Sequence, residues 1–174
     1  MMKKIMFSIS VLLLLLVLDL QLNLLFSHLF WNGLQPNYHL FLLCLVAMTS
    51  RASDFKLFYI CLIVGILLDI YILNVLGLNM ILLPLFVLLA SNVFKIRCLR
   101  FWNFCLLSVV IVFLFEISHF LIAWLLEGMT YSWTYFIVKI LAPTLILNLV
   151  VGILLYPLIR NILQRNRHLI VTNV

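Results

Sequence analysis

Apolar residues in this chain come in unbroken runs rather than in the alternation of a half-buried strand or the one-sided stripe of a surface helix. Six runs stand out, at about residues 5–26, 36–50, 55–73, 77–94, 101–126 and 135–159, separated by short polar or basic connections. Most are close to the roughly 20 residues that carry an α-helix across a ~30 Å hydrocarbon core. The pattern predicts an all-α integral membrane protein: about six transmembrane helices in a single bundle, one domain over residues 1–174. A transmembrane barrel would need alternating ten-residue segments, which do not occur here. The run at 36–50 is short for a span and is expected to be tilted or partly re-entrant. Pro84, Pro143 and Pro157 fall inside the fourth and sixth runs. Membrane helices accept proline where neighbours satisfy the carbonyls it frees.

Composition makes lipid the required solvent. The chain is 67% hydrophobic and 9% charged, with mean hydropathy +1.32, whereas a soluble domain is about half apolar and a quarter charged. Six spans would take roughly 120 residues, leaving no room for a folded domain outside the membrane. The start, Met1-Met2-Lys3-Lys4 before a Leu-rich stretch, has the form of a signal peptide. No small-x-small cleavage site follows it, and we read it as an uncleaved first span.

The net charge of +6 does not point to nucleic acid, because the cations are scattered among short loops. Their positions report orientation instead. With the N-terminus inside, the cytoplasmic segments hold Lys3, Lys4, Arg51, Lys56, Lys95, Arg97, Arg100, Arg160, Arg165 and Arg167, ten of the eleven basic residues. The outer connections near 27–35, 74–77 and 127–134 hold none. By the positive-inside rule both termini are then cytoplasmic. Trp31, Tyr131, Trp133 and Tyr135 would form an aromatic belt at the outer interface.

Ionisable groups within apolar runs are costly in lipid and face protein or water. They are Asp19 in the first run, Asp69 in the third, Glu116 and His119 in the fifth and Lys139 in the sixth. Each acid lies fourteen residues from the inner end of its run, counted from Ile5, Phe55 and Trp102. At 1.5 Å per residue that is about 21 Å, in the outer half of the core. Asp19, Asp69, Asn79, Glu116 and Lys139 are therefore expected to form a polar cluster, with Lys139 pairing one or more acids and Asn74 and Asn79 joining it at the outer turn. The blander alternative is that Asp19 and Lys139 snorkel to water.

Catalysis is not expected. Glu116 and His119 have the ExxH spacing of di-metal bundles, but a second ExxH is missing, and no GxSxG, HExxH, P-loop or GxGxxG occurs. His28, His39 and His168 sit near ends and loops and read as interfacial. Cys44, Cys61, Cys98 and Cys105 lack metal-ligand spacing and read as packing residues. Neither a metal nor a cofactor is expected.

One stretch carries a family pattern: Gly65, then Asp69-Ile70-Tyr71, then Gly77-Leu78, then Pro84. Gly65 lies one turn before Asp69 on the same face, where a neighbouring helix would approach closely, and Gly77 permits a tight turn. This stretch resembles the MreD family of bacterial rod-shape-determining membrane proteins. So do the acidic first span (Leu18-Asp19-Leu20-Gln21), the basic tail, and a last span bearing Pro143, Asn148, Gly152 and Tyr156-Pro157. The resemblance implies a non-catalytic scaffold of the cell-wall elongation machinery in the cytoplasmic membrane, needed for cell shape and peptidoglycan synthesis. Its implied partners are an MreC-like protein, and with it a RodA-type polymerase, a class B penicillin-binding protein and MreB. It also implies a fold like that of the substrate-binding subunits of energy-coupling-factor transporters. The alternative function is therefore a vitamin-like small-molecule binding subunit of a transporter.

Overall fold

Where backbone leaves the helical state in an apolar setting, every freed N–H needs a named acceptor. The computed structural model describes residues 2–29, 34–49, 54–70, 77–96, 101–127 and 132–171. Its helices are α1 (Met2–Leu29), α2 (Leu40–Thr49), α3 (Asp54–Leu68), α4 (Leu78–Ile96), α5 (Phe101–Glu127), α6 (Trp133–Tyr135) and α7 (Ala142–Val171). A π-helical turn, Phe136–Leu141, joins α6 to α7. The fold is all-α among the described residues, with the helices lying on the apolar runs. Two helical stretches, Phe101–Leu125 and Trp133–Asn161, are long and apolar enough by themselves to cross a bilayer. Asn74, Trp31, Tyr131, Cys98 and the loop cations Arg51, Arg97 and Arg100 lie outside the described residues.

Polarity is distributed in the opposite sense to that of a water-soluble protein. Asp69 and Thr144 are fully buried, and Asp19, Asn79, Glu116 and Asn148 nearly so, while Ile81, Leu125 and Leu154 are each about 70% exposed. Apolar surface on this scale marks contact with lipid or with another protein rather than with water.

The second run departs most from a plain span. Only Leu40–Thr49 is helical, about 15 Å of rise at 1.5 Å per residue, and residues 34–39 approach it as extended backbone. This leg lies beside the last helix in a parallel sense. Gln35 N donates to the Lys139 carbonyl, Asn37 N to Thr144 Oγ1 and His39 N to Asn148 Oδ1, each at 2.9 Å. Four extended residues advance roughly 13 Å, the rise of about nine helical ones, which is why 35 to 39 keeps step with 139 to 148. Once α2 is helical the two advance together, and Leu43 lies against Gly152.

Pro143 explains part of this arrangement. It has no N–H to close on the carbonyl four residues earlier, and that carbonyl, on Lys139, is the one that accepts from Gln35. The adjoining π turn has the same local origin, with Ala142 N reaching back five residues to Ile137 O. Two side chains add further hydrogen bonds to the extended leg. Tyr38 N donates to Asn23 Oδ1 on α1, and the Asn148 side-chain amide returns hydrogen bonds to the Asn37 and Thr144 carbonyls.

The α3–α4 hairpin is the closest helix pair. A Cβ on buried Gly65 would stand 2.6 Å from the Asn79 carbonyl oxygen and 2.7 Å from Met80 Cα. The start of α4 thus rests backbone to backbone on α3. Gly77 turns into α4 with φ +113°, a conformation other residues adopt only under strain. Below this level Leu12, Leu42, Leu45, Leu57, Val64 and Leu83 make a continuous apolar core around α2.

Candidate functional site

The ends of short helices dictate much of the polar interior. A helix begins with unpaired N–H groups, and two helices of this protein begin inside the bundle. Asp69, on the π-helical turn that ends α3, caps α4: Oδ2 accepts from Gly77 N at 2.9 Å and Met80 N at 3.1 Å, and Oδ1 from Asn79 N at 2.9 Å. Asp19, on α1, caps α2 in the same way. Its Oδ1 accepts from Leu40 N at 2.9 Å and its Oδ2 from Phe41 N at 2.8 Å. Both carboxylates thereby also meet the positive end of a helix dipole. α6 is capped locally, where exposed Ser132 Oγ accepts from Tyr135 N.

Between these caps lies a second group of side chains. Glu116 Oε1 accepts from Asn37 Nδ2 at 2.9 Å and lies 2.7 Å from His39 Nε2. A carboxylate only accepts, so His39 donates here. One turn on, His119 Nε2 is 3.0 Å from Asn79 Oδ1. The Phe115 ring lies between the two imidazoles, 5.2 Å from His39 and 4.3 Å from His119 between centroids. A cavity of about 250 Å³ opens at this level, lined by Asp19, Asn23, His39, Asn79, Glu116 and His119 among others.

Three of the acids anticipated from sequence, Asp19, Asp69 and Glu116, thus belong to one polar layer together with Asn79. Asp19 and Asp69 spend their charge on backbone amides. Beside Glu116 stands His39, a residue that sequence reading placed at the interface. Lys139 contributes its carbonyl to Gln35. Asn23, Asn37, Thr144 and Asn148 were missed as a group. Their one signal is that they are polar residues within or next to apolar runs, and only their convergence on residues 34–41 gives that signal meaning.

The Glu116–His39 pair should be energetically coupled. In a double-mutant cycle of Glu116→Gln and His39→Gln, followed by thermal unfolding in detergent, we expect an interaction energy of about 0.5–3 kcal/mol, the range for contacting partners. Strict additivity would show that the 2.7 Å contact contributes nothing to stability.

The fold and site together define a class of protein: an all-helical protein of membrane character whose buried carboxylates anchor helices that start within the bundle. The chain belongs to the MreD family: the family model for rod shape-determining protein MreD matches residues 3–166. It is also 31% identical over 113 residues to the cell shape-determining protein MreD of Streptococcus pneumoniae, covering 63% of this chain and 67% of that protein. No solved structure matches the chain.

Proposed function

We propose that this protein is a non-catalytic scaffold of the bacterial cell-wall elongation machinery, and that it acts in cell shape and peptidoglycan synthesis by binding an MreC-type partner. The observation that carries this reading is the family match over nearly the whole chain. The bonding of the interior supports it: Asp19 and Asp69 are engaged by helix N-termini, as suits a rigid frame. In this reading the protein crosses the cytoplasmic membrane six times, the second time through extended residues 34–39 and α2, and both termini are cytoplasmic. A RodA-type polymerase, a class B penicillin-binding protein and MreB join through the same assembly.

Affinity purification of the tagged chain in mild detergent, followed by mass spectrometry, tests the proposal. Recovery of an MreC-type protein, together with rounding or swelling of cells on depletion, is the expected outcome. A second reading, a small-molecule binding subunit of a transporter with the energy-coupling-factor type of fold, is favoured by one observation, the polar cavity beside Glu116. Recovery of transporter ATPases without any MreC-type protein would establish that reading over the first.

A further inference from the structure

The polar cavity does not end among polar groups. Three of its lining residues, Leu16, Leu20 and Leu68, also line a second concavity of about 350 Å³ between α1 and α3. That second space is apolar and includes Leu13, Val17 and Leu67. Val17 is 53% exposed and Leu20 37%, so the groove lies on the outward, lipid-facing side of the bundle. A polar chamber adjoining an apolar groove is complementary to an amphiphile, with its head in one and its chain in the other.

The chamber also restricts the head group. Among its described lining residues there is no Lys or Arg, while Asp19 and Glu116 are both present; a phosphate would be repelled by the two acids and would find no permanent cation, His39 being already engaged by Glu116. A strongly cationic head has little to gain either. Asp19 is engaged by two amides of α2, and Glu116 by His39. What remains is hydrogen-bonding capacity. Among the described residues, the hydrogen bonds to Glu116 from Asn37 and His39 both fall on Oε1, leaving Oε2 for a donor, and Asn23, Asn37 and Asn79 add amides around the same space. Carboxylate, amide and imidazole groups beside the Phe115 ring suit an uncharged polyol. About 250 Å³ is smaller than the ~300–1,000 Å³ of drug-sized sites and suits one sugar ring.

We propose that this chamber and groove bind a neutral glycolipid, a single hexose-type head on an acyl chain, at the outer half of the bundle between α1, α3 and α5. The inference is independent of the partner protein named above, because it rests on cavity chemistry alone.

The test uses the full chain solubilised in an amine-oxide detergent, since sugar-based detergents would themselves compete. Native mass spectrometry is run with an equimolar mixture of monoglucosyl diacylglycerol, phosphatidylglycerol and headless diacylglycerol, all with the same acyl chains. The glucosyl lipid should be retained about tenfold over either competitor, a difference of about 1.4 kcal/mol. Leu20→Trp, at the junction of the two spaces on an outward position, should remove that preference while leaving the thermal midpoint near wild type. Should Leu20→Trp fail to fold, Val17→Trp serves in its place. Equal or better retention of phosphatidylglycerol or of headless diacylglycerol by wild type would overturn the proposal. So would binding of free glucose as tight as that of the glucosyl lipid, which would indicate a water-soluble ligand, or undiminished preference in a folded groove variant.

Discussion

Asp69→Ala should be the most damaging single substitution in this protein. It would strip the acceptor from three backbone amides at once, those of Gly77, Asn79 and Met80, at a residue with no exposed surface. A buried donor left unpaired costs about 1–3 kcal/mol, and with Asn79 N buried and the other two amides part-buried a loss of several kcal/mol is expected, a large share of the stability of a typical domain. Asp69→Asn is the sharper experiment because it keeps the shape. An amide offers a single oxygen and turns its NH₂ toward a backbone N–H, so it too should fall well below wild type. Asp69→Glu keeps the charge but lengthens the arm, and it should recover only part of the loss. The readout is the yield of monodisperse protein in detergent and its thermal midpoint. If Asp69→Asn matched wild type in both, the capping role would have to be abandoned.

The second large effect is expected at Gly65. Gly65→Ala would place a methyl carbon 2.6 Å from the Asn79 carbonyl oxygen, and the obstructing atoms are backbone, which cannot rotate aside. Overpacking usually costs about 1–3 kcal/mol, and a clash with a helix start held by Asp69 should lie at or above the upper end. Gly152→Ala is the internal control. Its added carbon would meet Leu43 Cδ2 at 3.7 Å and Phe104 Cε1 at 3.8 Å, ordinary contacts, and alanine gains about 0.5–1 kcal/mol over glycine within a helix. Near-neutral or raised stability at 152 beside a large loss at 65 is the expected pair of thermal midpoints. Similar effects at both sites would mean that the α3–α4 contact has more room than its geometry indicates.

Gly65 and Asp69 act as one device: the glycine lets α4 come close, and the carboxylate satisfies the amides exposed by starting a helix there. Their four-residue spacing was readable as a shared helix face. That the carboxylate would cap the next helix was not readable, because its donors, the amides of Gly77, Asn79 and Met80, are set by where α4 starts against α3. The same holds at Asp19. Its fourteen-residue depth could be counted from Ile5, but its targets, the amides of Leu40 and Phe41, are set by where α2 begins.

The start of α2 shows why the rest was hidden. Leu40–Thr49 and the residues before it belong to one apolar run, and hydropathy cannot separate extended from helical backbone inside such a run. Pro143 was visible as a proline inside an apolar run. Only the packed arrangement showed that the carbonyl freed by Pro143 meets Gln35, and that Thr144 and Asn148 accept from the next amides in line.

The sequence by itself determined the helical class and the membrane character, because apolar run length and composition are local quantities. It also carried the family pattern around Asp69 and Gly77. The tertiary structure decided which polar groups meet, since hydrogen-bond partners separated by up to 111 positions, such as Asn37 and Asn148, are chosen by packing. It therefore recast Asp19 and Asp69 as caps of helices that begin inside the bundle, and it drew His39 in beside Glu116.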